Sequence, residues 1–155
     1  MFENKSPIII GSDHAGYILK EKVKTFLKNH NIEFEDIGTD SEEKVDYSDF
    51  GIKVANAVSK GKFERGILIC GTGLGMSMVA NRFPHVKAAL CNHIYSSIMS
   101  RRHNNSNILI MGGRIISDSL AIEILKAWLD TQFEGGRHQV RLDKFDKIDF
   151  ESLKK

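Results

Sequence analysis

The 155-residue chain is poor in cysteine, in proline and in net charge: two cysteines, two prolines and a formal charge of +2. Two cysteines, Cys70 and Cys91, supply no disulfide framework and no CxxC metal pattern. So small a charge, with the basic residues spread along the chain, gives no footprint for nucleic acid. No apolar run approaches the roughly 18 residues that cross a bilayer, which argues against a membrane protein. The start, "MFENKSPIII", lacks the basic head, long apolar stretch and small-residue cleavage site of a signal peptide. These absences lead to the expectation of a reduced, soluble, cytoplasmic protein. What remains is ordinary globular composition, 41% hydrophobic and 27% charged with 13 glycines. The length suits one domain over residues 1–155, without repeat, linker or low-complexity tract.

Short apolar runs recur, each ending in small or polar residues: Pro7–Ser12, Ile32–Gly38, Gly66–Cys70, Val86–Cys91 and Asn107–Gly113. Four are nearly continuous in Ile, Leu, Val and Ala, the pattern of strands buried on both faces of a parallel sheet. Between them lie segments of helical spacing. In "AGYILKEKVKTFLKNHN", Ile18, Leu19, Val23, Phe26 and Leu27 share one face, with the lysines and Glu21 on the other. "DFGIKVANAVSKG" ends at Gly61, a C-cap signal, and "LAIEILKAWLDTQ" reads as a further helix. Such alternation predicts a three-layer α/β/α, Rossmann-like (flavodoxin-like) open parallel five-stranded sheet with helices on both faces. The flavodoxin-like strand order would be 2-1-3-4-5. The polar stretch after Phe133 is expected to form a C-terminal helical arm, about 133–155.

Open parallel sheets bind at the carboxyl ends of their strands. Those ends carry "GSDHAG", "CGTGLG", "CNH" and "GGR". The spacing Gly71-x-Gly73-x-Gly75 is not the dinucleotide fingerprint, and the next strand ends without the ribose carboxylate. No Gly-Lys-Ser/Thr makes it a P-loop, and no recurrent ligand spacing points to metal. Glycines do let several N–H groups face one point, forming an anion nest, to which the following helix adds its positive end. A thiol at that place can serve as base or nucleophile, with the amides stabilising an oxyanion beside it. A cysteine closing a buried strand is also common as inert core; Cys91 has that setting without the nest.

Asp13 and His14 emerge where the first strand turns into a helix, a place where Asp is also an ordinary N-cap. "SRRHNNSN" puts His103 and Asn104 before the fifth strand, toward the same edge or as a simple polar turn with left-handed asparagines. Arg137 and Arg141 lie four apart, sharing a helix face that suits a phosphate or merely solvent. Arg114 follows the last strand. As a set these residues fit proton abstraction beside the carbonyl of a phosphorylated small molecule.

The motifs "GSDHAG", "DYSDF", "GILICGTGLGMSMVANR", "RRHNNSNILIMGGR" and "EGGRHQVR" resemble those of the ribose-5-phosphate isomerase B family, in the same order from about Ile8 to Arg141. The resemblance implies a metal-free, cofactor-free aldose–ketose isomerase working through an enediolate, as in the pentose phosphate pathway. It implies Cys70 as the base and the loop Gly71, Thr72, Gly73, Leu74, Gly75 as the enediolate cradle. His103 would donate a proton in ring opening with help from Asp13, and Asn104 would contact sugar hydroxyls. His14, Arg114, Arg137 and Arg141 would hold the sugar phosphate, and Tyr47 would line the pocket. Family members whose base is a glutamate carry it on the loop helix, where "GMSMVAN" offers no carboxylate. The resemblance also implies a homodimer or homotetramer with sites between subunits. Other readings are an isomerase of a six-carbon phosphate such as allose or galactose 6-phosphate, a non-catalytic sugar-phosphate-binding regulator, and a phosphocysteine carrier.

Overall fold

A computed structural model describes Phe2 and residues 6–148. Among these residues five strands alternate with six helices: β1 (Ile8–Ser12), α1 (Tyr17–Asn29), β2 (Phe34–Asp36), α2 (Tyr47–Ser59), β3 (Arg65–Cys70), α3 (Leu74–Ala80), β4 (Ala88–Leu90), α4 (Ile94–Arg102), β5 (Ile108–Gly112), α5 (Asp118–Asp130) and α6 (Arg137–Asp146). All neighbouring strands are parallel, and the sheet is open. The last residues of the expected arm, 149–155, lie outside the described residues.

The strand order is β2-β1-β3-β5-β4, not the expected 2-1-3-4-5. β5 is five residues long and buried throughout, whereas β4 has three residues, all half-buried. A strand that is apolar on both faces must sit where helices cover both sides, so "ILIMG" takes the interior and "AAL" the edge.

Strand residues alternate between two cores. Ile8, Ile10, Ile67, Ile69, Leu109 and Met111 face α1 and α5, packing on Val23, Leu27, Leu125 and Trp128. Ile9, Leu68, Cys70, Ile108 and Ile110 face α2 and α3, against Val54, Val58, Met76 and Ala80. Cys70 is therefore the last inward residue of β3 on the α3 side. Gly66 is small for a reason: a Cβ there would come 2.9 Å from Val54 of α2. The C-cap reading at Gly61 holds, since φ is +71° and the amides of Gly61 and Lys62 reach back to Val58 and Ala57.

α1 departs from the simple amphipathic reading. Ile18 is exposed, and Lys20 is completely buried. Lys20 Nζ lies 2.7 and 2.6 Å from the two carboxylate oxygens of Asp36 on β2, and Lys24 is 2.7 Å from the same carboxylate. Burial works against the ionised carboxylate, but hydrogen bonds from Lys20, Lys24 and the Gly38 N–H outweigh it and hold Asp36 below the usual carboxylate range. The ion pair thus stabilises the fold at neutral pH and is lost as acid protonates Asp36.

Candidate active site

β1 and β3 are neighbours whose connections leave in opposite directions, β1 toward β2 and β3 toward β4 and β5. That switch point opens a crevice at the carboxyl edge, where Asp13, Cys70 and Arg114 emerge. Asp13 is buried; its N–H donates to Ile69 O, and its Oδ1 accepts from the Gly16 N–H at 3.0 Å. So the carboxylate does cap the turn into α1, while standing next to β3. His14 is pinned by Nδ1, which lies 3.2 Å from Val45 O and 3.3 Å from Val45 N.

The Cys70 loop is drawn tight by glycines. Gly73 has φ +82°, and its N–H donates to Cys70 Sγ at 3.1 Å. An amide aimed at sulfur is the hydrogen bond a thiolate accepts. Gly113 N–H binds Cys70 O, and Arg114 N–H binds Gly71 O, which sew the loop to the end of β5. Thr72 Oγ1 accepts from the Leu74 N–H at 3.2 Å. A Cβ on Gly75 would stand 2.6 Å from the ring of Tyr47, and one on Gly71 would touch Arg114 Cδ at 3.5 Å. Close approach thus explains Gly75, whereas Gly71 has room for ordinary contact, and the two positions put Tyr47 and Arg114 beside the loop. α3 has only seven residues, so the loop amides carry more of the anion affinity than the helix dipole. A cavity of about 330 Å³ on this edge is lined by His14, Glu42, Gly113 and Arg114.

Cys91 has none of this. It is buried, and burial pushes its thiol up, with Ser100 Oγ 4.0 Å away opposing weakly. The structural reading of Cys91 stands.

His103 and Asn104 are not at this edge, contrary to the reading that sends them there. The segment after α4 leads into the start of β5, and Gly66, at the start of β3, donates to Asn107 O. Four residues of parallel strand separate Gly66 from Cys70, about 13 Å. His103 and Asn104 therefore sit at the amino edge, because an α-helix returning antiparallel to its strand must end there. The left-handed asparagine of the turn is Asn105, with φ +46°. Arg137 and Arg141 are exposed on α6, whose first turn lies beside His103. The expected set thus divides into a carboxyl-edge group (Asp13, His14, Tyr47, Cys70 to Gly75, Arg114) and an amino-edge group (His103, Asn104, Arg137, Arg141).

The amino edge also holds two residues that sequence reading passes over. The His103 ring stacks on that of His138, centroids 4.1 Å apart and planes 11° apart. Glu134 Oε2 lies 3.7 Å from His103 Nε2 and 3.4 Å from His138 Nε2. Both residues sit inside "EGGRHQVR", a motif quoted for its arginines; a carboxylate four before a histidine across two glycines is the available signal. The three side chains bring ligand atoms within 4.8 Å of one another. Arg102 already occupies Glu134, and Arg137 and Arg141 press positive charge on His138, so the cluster favours protons and anions over a dication.

A thiol that accepts a loop amide, at the switch point of an open parallel sheet with arginines at both edges, defines an α/β protein suited to proton transfer on an anionic small molecule. A family model described as Ribose/Galactose Isomerase matches residues 8–145, and the chain belongs to that family. It is 44% identical over 142 residues to ribose-5-phosphate isomerase B of Escherichia coli, covering 92% of this chain and 95% of that protein. Ribose-5-phosphate isomerase B of Clostridium thermocellum has the same fold at TM-score 0.91 and 49% identity, over 94% of this chain and 99% of that one. That of Mycoplasma genitalium, solved with bound ribulose 5-phosphate, gives TM-score 0.88 at 38% identity, over 96% and 97%. Among the described residues no helix is long and apolar enough to cross a membrane.

Proposed function

We infer that this chain is an aldose–ketose isomerase that interconverts ribose 5-phosphate and ribulose 5-phosphate. The observation that carries the reading is the Gly73 N–H on Cys70 Sγ inside the Gly71–Gly75 loop, a base and an oxyanion cradle built from one turn. Cys70, as thiolate, takes the C2 proton of the open-chain aldose. The loop amides hold the enediolate charge while it develops. The thiol then returns the proton to C1, and the O2 proton passes to O1, which leaves the ketose. No step in this sequence calls for a metal or a redox cofactor.

Ring opening precedes this. His103 donates a proton to the ring oxygen as the C1–O4 bond breaks, and Asp13 takes the proton of the anomeric hydroxyl. One chain holds these two groups at opposite edges of the sheet, so we assign them to a site shared between two subunits. His103, Asn104, Arg137 and Arg141 of one chain face Asp13, His14, Tyr47, Cys70 and Arg114 of its partner in a homodimer or a larger even assembly. A two-fold axis then generates two such sites from one contact. The stretch from about 133 becomes the arm of a single domain, reaching across to clamp a phosphate. We place this chemistry in the pentose phosphate branch of cytoplasmic carbohydrate metabolism.

The test is to incubate the purified protein with ribose 5-phosphate and with allose 6-phosphate, without metal or cofactor, and to follow ketose formation. Conversion of the pentose supports the reading. Preference for the hexose moves the substrate but keeps the mechanism, and binding without turnover overturns it.

A further inference from the structure

The "EGGRH" segment is shaped around His103. Glu134 is clamped by Arg102 twice: its N–H donates to Arg102 O at 3.0 Å, and its Oε1 accepts from Arg102 Nε at 2.5 Å. Gly135 and Gly136 follow with φ +64° and +54°, a pair of conformations that side chains resist. The reversal swings α6 so that His138, only 5% exposed, slides under the His103 ring. His138 Nε2 is buried without a hydrogen-bond partner and faces Glu134 Oε2, as His103 Nε2 does. One carboxylate oxygen is thereby shared between two imidazoles.

The two imidazoles are not equivalent. His138 is pushed below the ordinary histidine range, by burial first and then by His103, Arg137 and Arg141, against the opposing pull of Glu134. It stays neutral near pH 7 and serves as a platform. His103 is partly exposed at the end of α4. Glu134, held below the usual carboxylate range by its Arg102 hydrogen bond and by both histidines, is charged throughout the neutral range.

We propose that Glu134 and His138 are positioning residues for His103: the Arg102-anchored carboxylate orients the outward imidazole through Nε2, and the buried ring beneath fixes its plane. This inference rests on the isomerase reading, in which His103 donates a proton to the sugar ring oxygen. The groups that face His103 are Glu134 and His138, with Arg102 on its own helix and Arg137 and Arg141 on α6. Only Glu134 among them is an anion, so it alone offers the His103 Nε2 an accepting oxygen.

Two readouts test this on the full-length assembled protein. First, NOEs between the His103 and His138 rings are compared by NMR in wild type and in Glu134→Gln, without substrate. They are expected to be lost when the carboxylate no longer holds the outer ring in place; unchanged NOEs overturn the proposal whatever the enzyme turns over. Second, kcat and KM are measured with ribose 5-phosphate across pH. Glu134→Gln should lower kcat about tenfold and leave KM within about twofold, with Glu134→Asp restoring most of the loss. A KM effect alone would make Glu134 part of the phosphate clamp and sink the idea. For the platform, His138→Phe keeps a flat ring and should retain kcat within about threefold, while His138→Ala loses about tenfold; equal losses in both overturn the stacking role. If wild type shows no isomerase activity but the ring NOEs still depend on Glu134, the functional reading fails and the positioning survives.

Discussion

At the carboxyl edge of the sheet the polar machinery is largely backbone: the tight Gly71–Gly75 loop with the Gly73 N–H on Cys70 Sγ, stitched to the end of β5 by Gly113 and Arg114. At the amino edge it is side chains: His103 at the end of α4, Glu134 on the segment between α5 and α6, and Arg137, His138 and Arg141 on α6. Amides on a tight loop cannot be moved without moving the strand, so they suit a charge that appears at one fixed oxygen. Long cationic side chains reach and adjust, which suits gripping a phosphate delivered from outside. The contrast teaches that one chain carries two polar groupings of different construction, which the proposed function joins into one site.

The sharpest way to break the comparison is at the thiol. Cys70→Ala should lower kcat by about 10²–10⁴-fold with KM little changed, the loss that the proposed role as base requires; steady-state kinetics with a circular-dichroism check of the fold decide it. A variant retaining more than a tenth of wild-type kcat would remove Cys70 from its role.

Next comes the sharing of the two edges. Cys70→Ala and His103→Ala homo-oligomers should each be nearly inactive. Dissociated, mixed one to one and reassembled, they should recover about a quarter of wild-type activity, since half of the dimers are mixed and each has one intact site of two. No recovery means that both edges serve the same chain.

A smaller effect is expected at the arm. Arg137→Ala combined with Arg141→Ala should raise KM for ribose 5-phosphate about tenfold or more with a lesser change in kcat, the pattern of lost binding. An unchanged KM takes the pair out of the phosphate clamp.

The smallest effect separates the two cysteines. Cys91→Ala should leave turnover within about twofold and cost about 1 kcal/mol of stability, measured by urea unfolding. A large fall in kcat would mean that a buried residue of the β4 side communicates with the site.

Much of the fold was legible from local pattern. All five apolar runs are strands, Gly61 ends α2 as its left-handed backbone requires, and the face of Leu19, Val23, Phe26 and Leu27 is the buried face of α1. The carboxyl-edge half of the site was legible for the same reason: Asp13, His14 and the Cys70 loop immediately follow strands, and a strand's end fixes where its next residues go. Lys20 was misplaced because periodicity assigns every lysine to water; only the arrival of Asp36 from β2 makes its burial tolerable.

The remaining distinctions are those between what spacing encodes and what packing selects. Period, glycine placement and capping chemistry are properties of neighbours in the chain, so the sequence by itself determined the α/β alternation, the tight loop over Cys70 and the kinship with a family of isomerases. Strand order, the opposite-edge position of His103 and the meeting of Glu134 with two histidines depend on which surfaces bury one another. β5 took the centre because its two faces needed two cores, and α4, running antiparallel to the strands, carried His103 to the amino edge. Two glycines with positive φ then folded α6 back over it, and that juxtaposition exists only once the tertiary structure has formed.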